Sequence, residues 1–110
     1  MRLCTVRGHG MLQCVTFDSA VLDAMRSSRI YPAACTDWPP NLLLHVYLER
    51  VHRVRVRPSL CNPNALLLDL PASACAEPLL GRVCSALEKL CELLAAAKWA
   101  PIFDAVRRPR

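Results

Sequence analysis

Aromatic side chains are scarce in this chain of 110 residues: Trp, Tyr and Phe occur twice each, 5% of the whole, although 54% of the residues are hydrophobic. Any core must therefore be aliphatic, built from Leu, Val, Ala and Cys. Such a core is thin for this length, and a partner covering part of the surface would help it. No run of about eighteen apolar residues occurs, so no membrane-spanning helix is expected. The N-terminal pattern is not that of a secretory signal either, because Arg2 and Arg7 interrupt it and no apolar stretch precedes a small-residue cleavage site. Both absences point to the cytosol or the nucleus. The high hydrophobicity also excludes a disordered tail, which needs few apolar residues and much charge.

Glycine is scarcer still. Of three glycines, two stand together at Gly8 and Gly10, which leaves little for a phosphate-cradling loop. Neither G-x-S-x-G nor H-E-x-x-H occurs. Cys75 lies near a possible helix start and His9, His45 and His52 are present, but no spacing ties a thiol to a base, as nucleophilic catalysis requires. No C-x-x-C occurs among the seven cysteines. An odd count without close pairs fits neither a secreted disulfide scaffold nor a zinc ribbon. Reduced thiols acting as small buried hydrophobes are expected instead. A site of Cys4, Cys14 and His9 fails on distance, since the histidine at a turn would sit roughly 10 Å along the strands from the cysteines. The chain is expected to be non-enzymatic, with no cofactor, no metal and no small-molecule substrate.

Lysine is nearly missing: Lys89 and Lys98 stand against twelve arginines, and the net charge is +5. Arg53, Arg55 and Arg57 alternate with Val54 and Val56. On a strand this would place three guanidiniums on one face at roughly 7 Å intervals, near the spacing of phosphates along one nucleic-acid strand. Arg107, Arg108 and Arg110 close the chain. Together the six could meet phosphates or an acidic protein surface. No aromatic interleaves with the ladder to stack a base, and no RNP, helix-turn-helix or zinc-finger pattern is present.

What the chain does have is one helical seam. Leu80, Val83, Leu87, Leu90, Leu94 and Ala97 recur at spacings of three and four, which predicts an amphipathic helix over residues 78–98 ended by Pro101, with a last turn at 102–106. Upstream, residues 2–7 and 11–17 alternate around Gly8-His9-Gly10. That predicts a hairpin pairing Arg7 with Met11, Val6 with Leu12 and Cys4 with Cys14, with Cys4, Val6, Leu12 and Cys14 on the buried face. Asp18 or Ser19 caps a short helix over 20–27. Residues 30–40 form a Pro-rich connector carrying Trp38. Residues 41–57 are ambiguous: Leu43, Val46, Tyr47 and Val51 would also suit a helix. The β-branched content and the alternation before Pro58 favour strand, with a bulge or sharp turn near Glu49-Arg50, and leave one strand, two strands or part helix open. Residues 65–70 are a further strand.

The fold class that follows is α+β: an N-terminal hairpin, a short helix, two to three further strands, and a long C-terminal amphipathic helix packing the small antiparallel sheet. A single domain over residues 1–106 would carry a basic tail at 107–110. This order is similar to that of longin, roadblock and profilin-like modules, which serve as dimerisation and scaffold units; the analogy is of topology, with no shared motif. The expected function is protein binding, as an adaptor or small subunit of an intracellular assembly or as a homodimer. Leu80, Val83, Leu87, Leu90, Leu94 and Trp38 are the expected contacts. The alternative is a nucleic-acid-binding module using the Arg53/Arg55/Arg57 ladder and the basic tail.

Overall fold

The computed structural model describes residues 4–9, 12–69 and 77–107. They form an α+β arrangement of four helices and a small antiparallel sheet. In chain order the elements are β1 (Cys4–His9), β2 (Leu12–Phe17), α1 (Ser19–Arg26), a 3-10 turn (Ala33–Cys35), α2 (Pro40–His52), β3 (Arg57–Pro58), β4 (Ala65–Asp69), α3 (Glu77–Ala95) and α4 (Ala100–Arg107). The strands lie in the order β1-β2-β4-β3. Three of them have five or six residues, and β3 adds two at one edge.

The register of β1 on β2 differs from the expected one. His9 pairs with Leu12, so only residues 10 and 11 separate the strands; both lie outside the described residues. Cys4 stands opposite Phe17, and Cys14 opposite Arg7. Side chains alternate with period two along a strand, so a three-residue shift exchanges the faces. Val15 and Phe17 are the buried residues of β2, while Cys14 is half-buried. Cys4 and Cys14 are not cross-strand partners. On its other side β2 pairs with β4, where Val15 faces Leu66 and Gln13 faces Leu68. Leu66 and Leu68 are buried with Val15 and Phe17.

The larger correction concerns residues 41–57. They are not a strand: Pro40–His52 is helical, and only Arg57 pairs in the sheet. Pro40 opens α2 at a position that needs no backbone donor and suits a fixed φ. Leu43, Leu44, Tyr47 and Leu48 then recur at helical spacing and are all buried. The strict alternation begins only after the helix ends, at Arg53, whose φ of 55° is left-handed and whose backbone N–H donates to Leu48 O. A helix in this place changes the element order on which the longin, roadblock and profilin-like analogy rested.

The core is one cluster. Val15, Phe17, Leu66 and Leu68 of the sheet join Leu22 and Met25 of α1, the apolar face of α2, and Val83, Ala86, Leu90, Leu93 and Leu94 of α3. Ile102, Phe103 and Ala105 of α4 complete it. Asp18 caps α1 by accepting the Ala20 N–H at 2.9 Å.

α3 stops before the expected limit of 98. Lys98 N donates to Leu93 O at 2.9 Å and Ala97 N to Leu94 O at 3.2 Å, with Ala97 at φ 54°. This is the paired-bond helix stop that glycine normally fills. Ala97 is exposed and is no part of the seam. Ala97→Gly is expected to stabilise the fold by about 1 kcal/mol, since a Cβ is disfavoured in the left-handed region. The rise would be read as a shift in the denaturant midpoint at unchanged slope.

Pro101 therefore does not break the helix; it is the second residue of α4, a separate helix. Arg50 Nη1 donates to Ala105 O at 2.9 Å and Val106 O at 3.0 Å, which binds the C-terminal carbonyls of α4 to α2. Tyr31 meets the Phe103 ring edge-on at 5.4 Å.

Candidate protein-interaction surface

The seam of α3 points inward. Val83, Leu90 and Leu94 are buried in the chain's own core, and Leu87 is half-buried against it. In this conformation Val83, Leu90 and Leu94 are not available to a partner. Leu80 belongs to α3, with its side chain outside the described part. Trp38 is half-buried against the core, and its backbone N–H donates to Cys35 O at 3.0 Å. The outer face of α3 carries Arg82, Ser85, Glu88, Lys89 and Glu92, all exposed.

The arginine ladder keeps its alternation although most of it is not strand. Arg53, Arg55 and Arg57 are exposed, while Val54 and Val56 are buried at 3% each. The two valines anchor the segment to the core, so the intervening arginines must point outward. Arg107 stands apart from this logic. It is the last residue of α4, donates to Ile30 O and lies 3.9 Å from Asp104. Arg108 and Arg110 lie outside the described residues.

Beyond the ladder, the connection from β3 to β4 is tightly built. Ser59 Oγ accepts the N–H of Cys61 at 3.3 Å and of Asn62 at 3.2 Å, and Asn62 Oδ1 accepts that of Asn64 at 2.9 Å. Asn41, fully buried on α2, points its Nδ2 at Ser59 O (2.9 Å), Asn62 O (3.1 Å) and Ala65 O (2.9 Å). Its backbone N–H donates to Pro63 O at 3.0 Å. At the tip, Leu60 is 99% exposed. Sequence reasoning missed both residues. No local signal marks either: the partners of Asn41 lie 18 to 24 residues away, and the exposure of Leu60 depends on what the rest of the chain leaves uncovered.

Other features offer less chemistry. A shallow hollow of about 130 Å³ is lined by His45, Val46, Glu49 and Arg50, well below the roughly 300–1,000 Å³ of common ligand pockets. His45 Nε2 sits 3.2 Å from Glu49. Among the described residues no three of His, Cys, Asp or Glu are grouped to hold a metal ion. Cys14, Cys35, Cys61, Cys84 and Cys91 form no disulfide. Burial pushes the Cys35 thiol up, and Arg107 offsets this in part. No described helix is long and apolar enough to cross a membrane.

One titration is built into α2. Tyr47 Oη and His52 Nε2 are 3.0 Å apart, and burial, with Lys89 nearby, pushes the His52 pKa below its ordinary value near 6.5. A neutral ring accepts the phenol's proton, whereas an imidazolium cannot. The unfolded chain binds this proton more readily, so stability is full above about pH 6.5 and falls as pH drops through the window below it. Comparing denaturant midpoints at pH 7.5 and 5.5 should show that loss, and His52→Gln should reduce it.

By fold the described residues form a small α+β unit whose helices and sheet share a single core, mainly aliphatic but with Phe17, Tyr47 and Phe103 buried in it. Compared with known proteins, the chain matches no family model, no curated protein and no solved structure.

Proposed function

We propose that the protein is a non-enzymatic interaction module, an adaptor or small subunit of a cytosolic or nuclear assembly, that binds an acidic protein partner. The supporting observation is the exposed trio Arg53, Arg55 and Arg57, held outward by two buried valines. The valines hold the backbone so that the arginines project outward, where their planar guanidiniums can pair with carboxylates and steer an acidic partner toward the surface. The contact moves from the helix seam, whose Val83, Leu87, Leu90 and Leu94 serve the core, to this basic strip. The outer face of α3 is a secondary surface.

Nucleic acid is the second reading, because the same three charges fit phosphates. All six aromatic residues are buried or half-buried, so none stands out to stack a base. That favours protein.

The triple variant Arg53→Glu/Arg55→Glu/Arg57→Glu tests the reading. It should keep a cooperative unfolding transition, since all three side chains are exposed, and lose its protein partner in nuclease-treated co-purification from native cells by tenfold or more. Full retention of partners by the variant would overturn the assignment. Wild-type binding that disappears on nuclease treatment would favour nucleic acid instead. Light scattering during size exclusion, in reductant at low and high salt, separates a monomer from a homodimer.

A further inference from the structure

We infer that the loop at residues 59–64 is a pre-formed docking knob, whose Leu60 side chain enters an apolar pocket on an acidic protein partner while Arg55 and Arg57 meet carboxylates at the pocket's rim. The inference rests on the interaction-module reading and adds the anchor to it.

Three observations carry it. Leu60 is 99% exposed, against 44% for Ile30 and 41% for Val51, the other exposed large apolar side chains among the described residues. It touches almost nothing of its own chain. The backbone beneath it cannot fold the side chain back, because Ser59, Asn62 and Ala65 are all held by Asn41, and Phe17 N donates to Asn64 O at 2.9 Å. A loop already ordered in its presented form avoids the entropy that a flexible loop would lose on binding.

The charge around it selects the partner. From Val51 to Leu68 the chain carries three arginines and no carboxylate. Arg57 is three residues from Leu60, at most about 11 Å away between Cα atoms, and Arg55 about 18 Å. An apolar anchor with two arginines beside it in the chain complements an apolar pocket with acids at its rim. An anionic membrane would meet the same charges. A single leucine on a rigid loop inserts too little apolar surface for that, since stable membrane binding uses an amphipathic helix face or several anchors.

The test uses the full chain with benzoylphenylalanine at position 60, or at the exposed position 104 as a control, irradiated in native cells and nuclease-treated. The expected result is a discrete adduct to a protein other than this chain, found from position 60 and not from 104. Its crosslinked peptide should lie among Asp and Glu, and the adduct should fall at least tenfold when Arg53, Arg55 and Arg57 become Glu. Leu60→Asp in the otherwise native chain should keep the wild-type denaturation midpoint and recover that partner at least tenfold less. Equal adducts from both positions overturn the inference, as do adducts only to lipid or nucleic acid, adducts to a second copy, or unchanged recovery with Leu60→Asp. If position 60 gives no adduct while an Arg-dependent protein partner is still recovered, the knob fails and the module reading stands. If no Arg-dependent protein partner is recovered, both fail.

Discussion

Leu90→Asp is expected to leave the chain unfolded at 25 °C. Leu90 is fully buried in the cluster where α3 meets the rest of the core. Losing its side chain costs about 2–5 kcal/mol as a cavity, and an unpaired carboxylate in its place adds several more. A small domain has roughly 5–15 kcal/mol in total, and this one has few aromatic side chains to spare. Circular dichroism and the loss of a cooperative transition would show the collapse. Leu87→Asp is the control. Its half-buried position on the same helix should cost about 1–2 kcal/mol and keep a folded protein. A native-like melt for Leu90→Asp would refute the inward packing of α3.

Asn41→Asp should have the next largest effect, about 3–5 kcal/mol, from the change of one nitrogen to oxygen. The Asn41 amide faces three carbonyls, those of Ser59, Asn62 and Ala65, with two hydrogens to share. An aspartate there presents only acceptors to acceptors, buried and without a cation among those three contacts. Asn41→Ala leaves the carbonyls without their donor but adds no charge, so about 2–3 kcal/mol is expected. Hydrogen exchange offers the local readout: the Ala65 amide, bonded to Asn62 O at 3.1 Å, should lose protection first. If Asn41→Asp lies within 1 kcal/mol of wild type, the loop is held by its own turns and not by α2. The same variant probes function indirectly, because a loosened loop would present Leu60 less rigidly.

The candidate surface was legible in part. The outward alternation of Arg53, Arg55 and Arg57 follows from period two in an extended segment, and Val54 and Val56 are indeed the inward pair. The sequence offered no reason to set Leu60 apart from other loop residues, because exposure depends on what the rest of the chain leaves uncovered. Asn41 was hidden for the opposite reason. Its value lies in three carbonyls 18 to 24 residues away, and no local pattern encodes that meeting. The tail shows a third case: Arg107 reads as part of a basic terminus, yet it is helical and bonded to Ile30 O, 77 residues away.

Local rules alone decided some of the architecture. Composition requires an aliphatic core, helical spacing puts Val83, Leu90 and Leu94 on one face, and Asp18 caps α1 because its side chain reaches an N–H two residues on. Residues 41–57 went wrong because strand propensity was averaged over two unlike pieces. A Pro-started helix with buried Leu43, Leu44, Tyr47 and Leu48 runs to His52, and only the short remainder is extended. Helix and strand were close in local preference there, and burial of the helix face against α3 and α4 decided between them. The hairpin register was settled by tertiary structure too, since the pairing of β2 with β4 buries Val15 and Phe17 and so commits Cys14 to the other face. Whether the α3 seam meets a partner or the chain's own core is likewise a global matter: a periodic apolar stripe states that a face will be buried, and only the packed chain determines against what.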